Sequence, residues 1–323
     1  MEIFRPSSRF AETVLDQTFP HWGEGLTRQA YGQWNAAQLR TVWGSINLRR
    51  VGLVDGDRVL ASAKSYDFLA RVDGRECRTL GIGAVFTPPE LRGHGHARRL
   101  LEEMLAAGRE QGCRQALLFS EIGPEYYQQL GFSVVPRLVV DLEVDAHKPG
   151  SPAVLVRAGE DSDIQHIAAL HAPEKVPNEI KVLWALQRSG DLIRYAIAKR
   201  RLLAGLAPPG VRDVEFSVTE EGFRAVAYVL IARGPEGRWL LECGDRDPSG
   251  ARVGAMLQSI QARTPAEAPS RLRAWLPAGW CPPQVRIVHS EPAAEPMMLR
   301  SLDETPIPAL TAGDVRYWQA DVF

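Results

Sequence analysis

The chain has 323 residues, 45% hydrophobic and 24% charged, and its 38 Lys and Arg against 39 Asp and Glu leave a formal charge of −1. At roughly 150 residues per domain this length points to two domains, each able to bury a core. The balance excludes a disordered chain, a collagen and a long coiled coil, and leaves no overall field to draw the protein onto nucleic acid or an anionic membrane.

Four cysteines, Cys77, Cys113, Cys243 and Cys281, lack the close pairing of a zinc site, so buried reduced thiols and no metal are expected. Met1 to Arg5 carry charge where a secretory leader needs an apolar core. No apolar run approaches the ~18 residues of a membrane span. A cytoplasmic protein without membrane partners is the expectation.

Apolar residues at three- and four-residue intervals predict helices over 10–19 and 26–43. Strands follow at 48–54 and 59–69, joined at Asp55-Gly56-Asp57, a hairpin turn signal. A third strand, Thr79 to Phe86, is interrupted by Gly81 and Gly83, which suit a bulge better than a flat ladder. After Pro88-Pro89 and Arg92-Gly93-His94-Gly95-His96-Ala97, a helix runs to about Gln111. Its stripe of Ala97, Leu100, Leu101, Met104, Leu105 and Gly108 is the clearest periodicity in the chain. A short strand (115–119), a short helix (124–130) and a strand (137–144) complete the first half.

A polar linker, Asp145 to Pro152, divides the expected domains, 1–147 and 148–323. The order of elements then repeats without sequence identity: a strand at 153–157, helices at 161–171 and 178–188, a hairpin of 214–218 with 223–232, a strand at 239–243 and a helix at 251–263. The fold class is α/β in the α+β sense, a mixed and mostly antiparallel sheet flanked by helices, twice over.

The stretch from Thr79 to Ala97 carries the chemistry. The first turn of a helix presents unpaired N–H groups and the positive end of its dipole, so it binds anions. Gly93 and Gly95 let a ligand approach the backbone, and Arg92 and Arg98 add charge for phosphates. A Walker loop is excluded by the lack of Lys-Ser/Thr. A dinucleotide fingerprint fits poorly, with Arg98 at its third glycine position. A nicotinamide-dependent oxidoreductase is therefore the weakest reading.

Gly83 to Ala97 resembles motif A of the GNAT N-acetyltransferases, with Arg92, Gly95 and Ala97 at the three fixed positions of its Gln/Arg-x-x-Gly-x-Gly/Ala signature. Tyr127-Gln-Gln-Leu130-Gly131-Phe132 resembles that family's Y-x-x-x-G-F signature, and the motifs stand in the expected order. The resemblance implies acetyl-CoA as co-substrate, its pyrophosphate on the amides of Arg92, Gly93, His94, Gly95, His96, Ala97 and Arg98. It places the pantetheine arm along Val85, Phe86 and Thr87, with Ser120 also assigned to the coenzyme. A strand amide near Val85 and Phe86, freed by the bulge, would bond the thioester oxygen, and Tyr127 would be the general acid. The acceptor would be a small amine or a peptide amine.

Within that superfamily, the two-domain length and terminal phenylalanine resemble the enhanced-intracellular-survival acetyltransferases. Their second GNAT domain is degenerate, a sterol-carrier-like domain follows, and a C-terminal carboxylate reaches the active site. The resemblance makes the α-carboxylate of Phe323 the preferred base, with Glu121 and the His94/His96 pair as alternatives. Glu121 is otherwise expected to cap the following short helix. In the second half, Gly244 to Gly250 occupies the place of the phosphate loop. Asp245 and Asp247, expected as solvated turn acids, would repel a diphosphate there. That domain is read as non-catalytic, a wall of the substrate cleft or a subunit interface. A non-catalytic acyl-CoA sensor is the alternative function, and homo-oligomerisation stays open.

Overall fold

Helix α1 (Arg9–Trp22) turns Ala11, Val14, Leu15 and Thr18 inward, one face at three- and four-residue spacing. It follows a short strand, β1 (Glu2–Phe4). The single helix expected over 26–43 is two: α2 (Arg28–Arg40), opened by the Thr27 hydroxyl accepting from the Ala30 amide, and α3 (Val42–Asn47). Thr41 causes the break. Its backbone is extended, and its hydroxyl takes the Gly44 N–H to start the second helix. The computed structural model describes residues 2–4, 9–146, 154–171, 182–264, 271–305 and 307–323. The linker residues 147–152 and the first part of the helix expected over 178–188 lie outside them.

Strands β2 (Leu48–Asp55), β3 (Arg58–Val72) and β4 (Arg75–Phe86) form an antiparallel meander, with Gly56 at a positive φ in the first turn. Helix α4 (His96–Glu110) buries Leu100, Leu101, Met104, Leu105 and Gly108, the stripe read from the sequence. Then come β5 (Gln115–Phe119), parallel to β4, α5 (Glu125–Gln128), β6 (Ser133–Val135) and β7 (Leu138–Val144).

The second half opens with β8 (Arg157–Ala158), α6 (Ile164–Leu170) and β9 (Trp184–Leu186). Residues 184–186 are thus strand, where helix was expected. Trp184 is wholly buried, and the segment pairs with the far end of β3. Helix α7 (Gly190–Leu206) was not anticipated. It buries residues around most of its circumference, Lys199 among them, so its charges blur the period. Strands β10 (Asp213–Glu221), β11 (Arg224–Gly234) and β12 (Gly237–Asp245) form a second meander, followed by α8 (Ala251–Arg263) and β13 (Leu272–Ala274), parallel to β12. The chain ends through β14 (Val285–Pro292), β15 (Met297–Ser301) and β16 (Val315–Arg316).

The two sheets share one plan and trade strands: β9, β15 and β16 of the second half join the first sheet, and β7 of the first half joins the second. The first runs β1-β2-β3-β4-β5-β15-β6, the second β14-β7-β13-β12-β11-β10-β8. Next to the parallel strand of each sheet lies a strand from the other half: β15 against β5, and β7 against β13. The strand expected to complete the first half therefore lies in the second sheet, between β13 and β14. A core that includes Trp43, Trp184, Trp275 and Tyr317 packs where the halves meet. Cys77, Cys113 and Cys243 are buried, Cys281 is half-buried, and all four are free. Among the described residues, no helix is long and apolar enough to cross a membrane.

Candidate active site

The parallel pairing of β4 with β5 runs only from Thr79 opposite Gln115 to Ile82 opposite Leu118. Beyond it, residues 83–86 have no partner on β5. On the other side of β4 the register with β3 slips by one residue between Lys64–Gly83 and Ser62–Phe86. The extra residue is housed by Ala84, whose φ of 48° is a strained choice for a residue with a side chain. The bulge expected at Gly81 and Gly83 thus falls at Ala84–Val85, outside the ladder. The two glycines serve close approach instead. A Cβ on Gly81 would lie 2.5 Å from the Phe68 ring, and one on Gly83 would lie 3.0 Å from both the ring and a backbone oxygen of Phe323.

From β4 the chain turns through a short 3₁₀ segment at 89–91 into the loop of Arg92 to Gly95. Gly93 and Gly95 take φ values of 81° and 79°, which only glycine adopts without cost. Gly95 stands at the N-cap of α4, and among the described residues no side chain caps its first-turn amides. A Cβ at either glycine would meet no atom within 4 Å. The helix therefore offers open, uncapped amides to an anion. Around it, the Arg92 Nε bonds the Thr87 carbonyl at 3.2 Å, Arg98 pairs with Glu102 at 2.9 Å, and the His94 and His96 rings lie 6.0 Å apart. Val85 packs against the core that includes Leu100, Met104, Tyr127 and Phe132, Ala97 is half-buried, and Phe86 is buried against His21 and Trp22.

Tyr127, on α5, is buried in the first core with Phe132 edge-on to it. Burial pushes its phenol up to about 12, and the neighbouring Tyr126 and Glu121 act in the same direction. Ser120 donates its hydroxyl to the Gly123 carbonyl and its amide to Pro296, so both donors are engaged within the fold. Glu121 does not cap α5. It accepts the Trp22 indole N–H at 3.0 Å.

Ala84 opens onto a cleft of about 310 Å³ between the halves, with Trp22, Trp34, Glu121 and Phe323 also on its walls. The final segment builds its floor. The Phe323 ring lies 4.5 Å from that of Tyr66 and 5.1 Å from that of Phe68, and edge-on to Phe119. Sequence reasoning missed the charges that converge here from separate segments. Glu295 is pushed up by burial, then by Glu121, Glu236 and Glu24. Burial and Arg50 push Lys64 down to about 7, while burial, Arg200 and Lys64 hold Lys199 well below its usual range. No spacing signal could have found them, because the contacts join residues from both halves of the chain.

The place corresponding to the α4 loop in the second half is closed. Asp245 is not a solvated turn acid. Its carboxylate accepts the Arg252 and Val253 amides at 2.8 and 3.2 Å and caps α8 from within.

A bulged strand splayed from a parallel neighbour, with an open helix N-terminus between them, is the coenzyme-binding geometry of GNAT acetyltransferases. Residues 9–135 match the family model of the acetyltransferase (GNAT) domain, so that stretch carries a domain of the GNAT kind. Solved structures extend the likeness over nearly the whole chain. A probable N-acyltransferase from Enterococcus faecalis is 13% identical with a TM-score of 0.66, covering 93% of this chain and 71% of its own. A GCN5-related N-acetyltransferase from Kribbella flavida is 20% identical with a TM-score of 0.64, covering 90% and 69%. Eis1 from Mycobacterium abscessus is 14% identical with a TM-score of 0.57, covering 94% and 74%. The fold over nearly the whole chain is thus the one these acetyltransferase structures share. A search of curated protein sequences found no match.

Proposed function

We propose that the protein is an acetyl-CoA-dependent N-acetyltransferase that passes acetyl to a primary amine by direct attack, with two units, 1–147 and 148–323, of which the first is catalytic. The observation that carries this reading is the uncapped N-terminus of α4, opening beside the Ala84–Val85 bulge where β4 parts from β5. Amides of residues 92–98 cradle the diphosphate. Val85, Phe86 and Thr87 line the pantetheine arm, and an amide of the bulge bonds the thioester oxygen as charge builds there. Ser120, its hydroxyl and amide both engaged within the fold, has no donor left for the coenzyme. Four free cysteines suit a reducing cytoplasm.

Tyr127 donates to the departing sulfur. A phenol held at about 12 stays protonated throughout the physiological range. Full transfer to a thiolate near ~8.5 would climb ~4–5 kcal/mol, so donation is coupled to carbon–sulfur cleavage rather than following it. The amine arrives as an ammonium ion in a cleft lined by Glu24, Glu121, Glu236 and Glu295 and also by Lys64, Lys199, Arg200, Arg212 and Arg233, with Glu24 paired to Arg212. The Phe323 carboxylate accepts its proton.

A thiol-release assay with a panel of amines tests the reading. Turnover is expected. Coenzyme binding with no turnover on any amine would leave the acyl-CoA sensor, and no binding by calorimetry would remove both. Tyr127→Phe is expected to lower kcat about a hundredfold with little change in coenzyme affinity. The wild-type rate should show no alkaline fall from this phenol below about pH 11, because its folded value lies near 12.

A further inference from the structure

Beyond β16 the last residues, 317–323, have no sheet partner, yet they end in the cleft. Three basic side chains hold them. The Arg137 guanidinium, stacked 4.6 Å over the Trp275 ring, donates to the Tyr317 carbonyl. Lys199 of α7 donates to the Val322 carbonyl at 2.5 Å. Between these, Arg188, just before α7, donates one nitrogen to the Asp321 carboxylate and the other to that of Glu242 on β12. Asp321 also accepts the Trp318 amide at 3.1 Å, folding the segment into one turn. Glu242 in turn accepts from the Tyr228 hydroxyl, which contacts His171 at 2.5 Å.

This cluster is buried: Glu242 is 1% exposed, Asp321 6% and Arg188 9%. Two carboxylates share one guanidinium, a poor charge balance for the interior. Apolar side chains of similar volume would hold such a site at equal or lower cost. What an ion cluster supplies that they do not is register, since a guanidinium fork fits two carboxylates in one geometry only. Asp321 lies two residues, about 7 Å of chain, from Phe323.

We infer that Arg188 is a positioning residue for the transfer reaction, bolting the end of the chain to the second sheet so that Phe323 sits at the β4 bulge. On this inference the non-catalytic second domain has a defined task, which is to present that residue. The inference rests on the catalytic role proposed for Phe323, and its failure can be told apart from the failure of that role.

Removing Arg188 alone would strand two buried carboxylates, so the informative variant neutralises all three groups: Arg188→Met with Glu242→Gln and Asp321→Asn. It is expected to fold and to bind acetyl-CoA with unchanged affinity, while kcat falls on the order of tenfold to a hundredfold, the usual cost of misplacing a reacting group by about 1 Å. In a chain lacking Phe323 the same three changes should cost no further activity. Unchanged kcat, or losses that multiply in the Phe323-deleted background, would overturn the inference. Wild-type turnover after deletion of Phe323 alone would instead overturn that residue's own role. If the triple variant does not fold, Arg188→Lys, which reaches only one carboxylate, is read by the same two criteria.

Discussion

The N-termini of α4 and α8 occupy equivalent places in the two sheets, and they meet the same electrostatic demand in opposite ways. Both helices begin at a glycine with positive φ, Gly95 at 79° and Gly250 at 73°. In α8 the anion is built in, with Asp245 taking the first-turn amides and Arg252 closing over it at 3.4 Å. The approach is also roofed. A Cβ on Gly250 would lie 2.5 Å from Trp280, whose indole N–H is tied to Pro248 at 2.9 Å. In α4, among the described residues, no side chain caps, and nothing stands over Gly93 or Gly95. A helix that leaves its amides open forgoes about 1 kcal/mol of capping. On the proposed function an external anion supplies the missing partner, which makes the open end the binding one and the plugged end the scaffold.

The sharpest way to break this contrast is to give α4 a plug of its own. Gly93→Asp puts a carboxylate at the mouth of the open amides, where it would repel a diphosphate and strain a φ of 81°. Acetyl-CoA affinity, measured by calorimetry, should fall about a hundredfold or more. Affinity unchanged within a factor of two would mean that the coenzyme's phosphates do not use this helix end.

Much of this contrast was legible in the sequence, and the limits were physical. The α4 stripe, the Gly93/Gly95 loop and the two hairpins are local patterns, and each formed where its pattern placed it, whereas Asp245, expected as a solvated turn acid, caps α8 instead. The strand exchange was not legible. β7 and β15 are short apolar strands with nothing in their residues to say which sheet they join. Residues 184–186 became strand because pairing with β3 outweighed local preference, and α7 hid its period by burying residues on most faces. At the site, Phe323 was placed by resemblance, and its packing on Tyr66 and Phe68 depends on contacts across 250 residues of chain. The cleft charges Lys64, Lys199 and Glu295 were missed for the same reason.

A smaller effect is expected where the two domains meet. Gly83 is the one place on β4 where the absence of a side chain admits Phe323, since a methyl group would sit 3.0 Å from its ring and a backbone oxygen. Gly83→Ala must push the end of the chain back by a few tenths of an ångström. It should lower kcat about tenfold, with acetyl-CoA affinity retained, because the open helix end is untouched. If kcat holds while crystallography shows Phe323 displaced, the proton is taken by another group, Glu121 being the next to test.

The smallest effect tests the other side of the comparison. Asp245→Asn keeps the shape of the α8 cap but removes its charge, and the amide retains one oxygen to accept from Arg252 or Val253. The loss should be about 1 kcal/mol in denaturant unfolding, the usual worth of a cap. Acetyl-CoA should not bind at this end even so, because Trp280 still covers Gly250 and the Asp247 carboxylate remains beside it. The distinction between the helices would then rest on access as well as charge. A variant that gained a second, weaker coenzyme site would show that charge alone separates them, and that the second domain lost its ligand by acquiring one carboxylate.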